Sequence, residues 1–217
     1  MVQSLNVSGI VNAFKLLWNP SLAMPHIIVK DMSCINYAAL KKQVNIQAIG
    51  FDKDNCLTAP YASNIHPPFE NAWEECKKTF GKDKVMIVSN SAGTKDDVGH
   101  KEAQHLEASL GVTVLKHEEK KPDGGHHLAD YVKPIKPEQV AFVGDRILTD
   151  VLFGNRNGNL TIWTSQVITE EGDNKPALLI RRLEHHLIHM LQRLGVKAPV
   201  HPGLIDNTCD DFIIKKQ

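Results

Sequence analysis

The chain has 217 residues, enough for one α/β domain with a sizeable core plus appendages. Lys plus Arg and Asp plus Glu balance at 25 each, so no global field favours nucleic acid, and 42% hydrophobic against 23% charged residues is an ordinary globular profile. Cys34, Cys56, Cys76 and Cys209 have no C-x-x-C spacing, which argues against a zinc framework and for free thiols in a reducing compartment.

Residues 1–29 differ from the rest, with Lys15 as their only charged side chain. Val7, Ile10, Val11, Phe14, Leu17 and Trp18 recur at helical spacing, and Asn19-Pro20 ends the pattern. Pro25 interrupts the next apolar stretch, Leu22 to Val29, so neither piece reaches the roughly 20 apolar residues that span a bilayer. There is no secretory signal pattern. The first 45 residues carry Lys15, Lys30, Lys41 and Lys42 against Asp31 alone, which suits an anionic lipid surface. The same amphipathic stripe equally fits a helix packed on the domain's own core. Residues 1–44 are therefore set apart as an apolar N-terminal segment, membrane-facing or packed, ahead of a domain over 45–198 and a tail over 199–217.

From residue 45 strand and helix signals alternate. Ile46 to Phe51 reads as a strand that discharges Asp52 and Asp54. A helix near Pro67–Phe80 puts Phe69, Trp73, Cys76 and Phe80 on one stripe, and Gly81 closes it. Lys84–Val88 is a second strand, ending at Ser89-Asn90. A helix from about Lys95 to Leu110 precedes a third strand, Val112–Leu115, with Lys121 beyond it. A short helix over Pro122–Tyr131 leads to a fourth strand, Gln139–Val143, ending at Gly144-Asp145, with Asp150 on the helix that follows to Phe153. Leu160–Trp163 is a fifth strand. Lys175–Leu194 is a long helix whose core face holds Leu179, Ile180, Leu183, Leu187, Met190 and Leu191. The expected fold is α/β, a doubly wound parallel sheet with right-handed crossovers.

A parallel sheet brings its strand ends to one edge, where ligands bind. Asp52/Asp54, Ser89/Asn90, Lys121 and Asp145/Asp150 would meet there. Phosphoryl transfer needs this set: a nucleophile, an acid/base, a divalent cation and donors for the phosphoryl oxygens. D-K-D-N-C-L-T, V-S-N-S-A-G, K-K-P and G-D-R-I-L-T-D, in this order over about Ile46 to Trp163, resemble the four motifs of the haloacid dehalogenase superfamily of phosphatases. More closely, the first, second and fourth resemble the eukaryotic mitochondrial phosphatidylglycerophosphate phosphatases of cardiolipin biosynthesis, whose bacterial relatives are small and capless.

The resemblance implies Mg²⁺-dependent hydrolysis of phosphatidylglycerophosphate at the matrix side of the mitochondrial inner membrane. It implies Asp52 as nucleophile, Asp54 as acid and base, and Lys121, which precedes proline as Lys120 does not, as the balancing cation. Ser89 and Asn90 would bind the phosphoryl group. Mg²⁺ would be held by Asp52, the Asp54 carbonyl and Asp145, with Asp150 orienting its outer shell. The Asn55-Cys56 pair, where the commoner motif has Gly-Thr, matches the lipid-phosphatase branch, and Cys56 reads as a small buried residue. The gaps from Thr58 to Ser89 and from Ser89 to Lys121 leave no room for a cap domain, so the site is expected to be open.

Other readings remain beside this one: a capless phosphatase of a soluble ester, and a non-catalytic scaffold recruited to a membrane. His185 and His189 stand at i, i+4 with His186 between them, a spacing that suits zinc or, more simply, a solvated face. His126-His127 start a helix near the site mouth. Arg146 and Lys53 are left without a role, and a homo-oligomer built on the apolar helix faces stays open.

Overall fold

The computed structural model describes residues 18–171, 175–204 and 209–214. Six strands form one sheet, β1 (Ile27–Val29), β2 (Ala48–Phe51), β3 (Val85–Ile87), β4 (Thr113–Val114), β5 (Val140–Gly144) and β6 (Leu160–Thr164), in the order β1-β6-β5-β2-β3-β4. Every pairing is parallel, with Phe51 beside both Ile87 and Val143. The helices are α1 (Tyr37–Gln43), α2 (Glu70–Phe80), α3 (Lys101–Leu110), α4 (Gly125–Tyr131), α5 (Leu152–Arg156) and α6 (Lys175–Arg193).

β2 and β5 are buried along their whole length, because both faces of the sheet are covered. Their side chains alternate between two cores. Ile49, Phe51, Val85, Ile87, Ala141 and Val143 join Trp73, Phe80 and Leu106 on one face. Ala48, Met86, Val140 and Phe142 join Leu128 and Phe153 on the other. The Trp73 ring meets Phe51 edge-on at 5.5 Å, and its indole N–H donates to Leu110 O at 3.0 Å, which ties α2 to the end of α3.

After β4 the chain returns across the sheet, so β5 and β6 lie on the opposite side of β2 from β3. The strand order therefore reverses at β2/β5, and their carboxyl ends form the crevice where such sheets bind ligands. The connections over residues 55–69 and 88–112 carry no inserted domain, as the spacing implied.

Two parts of the N-terminal reading change. Ile27–Val29 is a strand of the same sheet, paired with Ile162–Thr164 on β6. Ala23, Met24, Tyr37 and Leu40 are buried in the domain's cores. The stretch 20–44, set apart from the domain in sequence, therefore packs within it; residues 1–17 lie outside the described residues. The tail is also partly built in: Phe212 is fully buried, and Ile213 bridges Ile35. A strand of three residues has no periodicity to read, and its partner is 135 residues away.

His26 anchors this edge. Thr161 N–H donates to its Nδ1 at 3.1 Å, and its Nε2 meets Pro199 O at 3.0 Å, a neutral imidazole with both nitrogens matched. Protonation would set N–H against N–H. Burial and the neighbouring His201 push the His26 pKa down to about 4 from the ordinary 6.5. In the unfolded chain His26 takes a proton below about 6.5; in the fold it resists until about 4. This contribution to stability is thus complete above the first value and lost on acidification between the two, up to about 3 kcal/mol. Urea unfolding of the wild type and His26→Gln across this range should show the difference; parallel pH profiles would rule it out.

Candidate active site

The turn after β2 positions both first aspartates. Leu57 N–H and Thr58 N–H donate back to Lys53 O, and Asn55 takes a positive φ of 61°, which asparagine tolerates. Asn55 Oδ1 accepts from Thr169 N–H, pinning the turn to the segment after β6. Asp52 N–H still pairs with Val143 O, so its side chain leaves the sheet at the crevice.

Lys121 is the centre of the site. Its Nζ lies 2.6 Å from Asp52 Oδ1 and 2.6 Å from Asp150 Oδ1, with 1% of the side chain exposed. Burial opposes its charge, but Asp150 and Asp52 outweigh it and hold the ammonium above the usual lysine range. Asn90 fixes this lysine from below: Lys121 N–H donates to Asn90 Oδ1 at 2.7 Å, and the Asn90 amide donates to Lys121 O. Lys120 turns away to Asp96.

Asp145 directly follows β5 and is buried. Its Oδ2 accepts from Arg181 Nη2 at 2.6 Å and Nε at 2.9 Å, while its Oδ1 is buried with no partner among the described residues. Asp150 sits on the π-turn Ile147–Val151 and accepts from Arg146 N–H. A Cβ on Gly144 would collide with Asp150, so glycine before Asp145 is required for the two carboxylates to converge. One oxygen from each of Asp52, Asp145 and Asp150 falls within 4.8 Å of the others. Burial, together with the charge of Asp52, pushes the Asp145 and Asp150 carboxyls upward in spite of Arg181 and Lys121. Three carboxylates face two cations, and one buried carboxylate oxygen is unmatched among the described residues. A divalent cation with oxygen ligands fits that donor set.

Asp54 stands apart. Its Oδ1 is held by Lys53 Nζ at 2.7 Å and by Tyr61 N–H at 2.9 Å, and burial raises its pKa despite that lysine. Ser89 lies two residues beyond β3, and its Oγ accepts from Ser91 N–H and Ala92 N–H. All of the expected residues except Lys121, which bridges Asp52 and Asp150 beneath, line one crevice, with Pro60, Tyr61, Ser91, Arg146, Thr149 and Arg181. Burial raises the Cys56 thiol well above its usual range, so it is inert.

The sequence reading missed Arg181 and Glu184. Glu184 is 1% exposed; it takes Arg146 Nε at 3.0 Å and Leu148 N–H at 2.9 Å. Both residues come from α6, whose buried stripe is Arg181, Glu184, Ile188 and Leu191. The core face expected there is corrected: Leu179, Ile180, Leu183 and Met190 are exposed, Leu187 is partly buried, and only Leu191 is fully inside. The spacing of three, four and three in the buried set was the available signal. Apolar side chains outnumbered it on the other face. Within this helix His185 packs on Trp163 and His189 is exposed; neither belongs to a group of metal-competent side chains among the described residues.

A sequence model of the family described as mitochondrial PGP phosphatase matches residues 7–169. The chain belongs to that family. A phosphatidylglycerophosphate phosphatase 1, chloroplastic/mitochondrial, of Arabidopsis thaliana is 37% identical over 210 residues, 95% of this chain. The chain spans 59% of that relative's length. The mitochondrial phosphatidylglycerophosphatase GEP4 of Saccharomyces cerevisiae is 36% identical over 163 residues, 73% of this chain and 86% of its own length. A probable phosphatase, YqeG of Bacillus subtilis, is 30% identical over 173 residues, 79% of this chain and 93% of its own. The mitochondrial PGP phosphatase family is thus the one its motifs resembled.

Proposed function

We propose that the chain hydrolyses the phosphate monoester of phosphatidylglycerophosphate to give phosphatidylglycerol, with Mg²⁺ as cofactor. The observation that carries this reading is Lys121 bridging Asp52 and Asp150 beside an unmatched Asp145 oxygen, at the sheet crevice of a chain whose relatives are named for this substrate. An Asp52 oxygen attacks phosphorus, the bond to the glycerol oxygen breaks, and Asp54 gives that oxygen a proton. Water, deprotonated by Asp54, then attacks the phosphoryl-aspartate and frees phosphate. The burial that raises Asp54 suits it to hold the first proton. Lys121 and the Ser89 hydroxyl stabilise charge on the phosphoryl oxygens. Asp52, Asp145 and the Asp54 carbonyl would hold Mg²⁺, with Asp150 as support, and the ion would supply further positive charge to the same oxygens. The proposed setting is the matrix face of the mitochondrial inner membrane, in keeping with relatives named mitochondrial.

Phosphate release from phosphatidylglycerophosphate in mixed micelles, with Mg²⁺ and with EDTA, beside a soluble aryl phosphate, tests this. Release from the lipid should need Mg²⁺ and far exceed release from the aryl ester. Equal or faster turnover of the aryl ester would keep the chemistry and remove the lipid.

A further inference from the structure

We propose that α6 is the membrane-docking surface of this protein: its exposed face lies flat on an anionic bilayer. The helix has two apolar sides with different fates. One packs inward through Ile188 and Leu191, carries Arg181 into the crevice and sets Glu184 against Arg146. The other presents Leu179, Leu183 and Met190, continued by Leu194 directly after the helix, which are 61%, 62%, 52% and 70% exposed. Successive members are four, seven and four residues apart, so they form one straight stripe along a helix of 19 residues, roughly 28 Å long. A stripe of four large apolar side chains in the open is unusual for a lone helix and marks a contact surface.

Its occupant follows from charge. Arg182, His186, His189 and Arg193 line one edge of the stripe. Glu184 is the only acid in the helix, and it is buried against Arg146. Arg182 meets Glu170 at 3.3 Å, an exposed pair that an anionic headgroup can displace. The solvent face of α6 is thus apolar with a basic edge and no acid, the pattern of a helix that rests in the headgroup layer. Among the described residues no helix is long and apolar enough to cross a membrane, so the contact is parallel to the surface. The same helix supplies Arg181 to the crevice from its buried side, so one element joins the docking surface to the site. This rests on the lipid reading above and names the surface that serves it.

The test is sedimentation of the full chain with vesicles of phosphatidylcholine alone and of phosphatidylcholine mixed with phosphatidylglycerol, no substrate present. The wild type should bind the mixed vesicles and L183E/M190E should bind about tenfold less or weaker. R182Q/R193Q should weaken binding and flatten its salt dependence. Turnover of a soluble aryl phosphate and the melting temperature should be unchanged in each variant; L183Q/M190Q is the milder substitute if L183E/M190E melts early. Wild-type-like vesicle binding by the apolar variants would overturn the proposal. So would a wild type that ignores both vesicles, or a dimer in light scattering that the variants split while vesicle binding persists. Loss of aryl phosphate turnover in the wild type would instead count against the catalytic reading, which the vesicle result does not touch.

Discussion

Asp52→Asn should lower phosphate release by at least about 10³-fold while leaving the fold intact. The amide cannot carry the phosphoryl group, so the two-step path closes. Its structural cost is small for a reason visible in the site. Asp52, Asp145 and Asp150 crowd three carboxylates around Lys121 and Arg181, and neutralising one relieves repulsion on the other two. Lys121 keeps Asp150 at 2.6 Å. Melting at or above the wild-type temperature, with rates near background, is the expected pair of results. A correctly folded variant that kept more than about a tenth of the rate would remove Asp52 as nucleophile.

Lys121→Met should fail on both counts. The methionine fills the volume above Phe142, whose ring the ammonium now faces at 5.3 Å, but it leaves Asp52 and Asp150 without their shared cation. Removing one partner of a buried ion pair costs roughly 3–5 kcal/mol. The cost depends on pH, and its sign follows from the acids. A carboxyl whose folded pKa is raised destabilises the fold above its unfolded value, fully so once pH exceeds the folded one. Asp145 and Asp150 are already raised by burial, and losing Lys121 raises Asp150 further. The stability gap between wild type and variant should therefore be widest near about pH 8 and shrink towards about pH 5, where the acids take protons. Denaturant titrations at the two pH values read this directly. A gap that does not change with pH would mean that lost packing, rather than uncompensated charge, sets the cost. Turnover should fall as well, because the same ammonium faces the phosphoryl oxygens in the proposed reaction.

Much of this protein was legible in sequence because its chemistry sits where short apolar runs end. Asp52 and Asp145 directly follow their strands and Ser89 lies two residues past β3, and each strand from β2 to β6 was expected within a few residues of where it lies. Lys121 was chosen over Lys120 by its proline, and the fold places it, buried, between two aspartates. In these cases the signal is local: a strand run, a turn residue, a charge beside it.

The misreadings share one physical cause. β1 is three residues long, so nothing in Ile27–Val29 distinguishes a sheet edge from a membrane-facing apolar stretch until β6 lies alongside it. On α6 both faces carry apolar residues, and periodicity cannot say which one meets the core. The fold chose the face with Arg181 and Glu184, because Asp145 and Arg146 stood ready to satisfy them once buried. Local signals were enough for the parallel α/β pattern and the order of the site's aspartates, serine and lysine, since these depend on neighbours within a few residues. Which oxygen of Asp145 is unmatched, which side of α6 stays open, and that residues 20–44 pack into the domain, with Ile27–Val29 as a strand of its sheet, were settled by long-range packing. Each of those depends on a partner brought from over thirty to more than a hundred residues away, and burial assigns such partners only when the whole chain has closed.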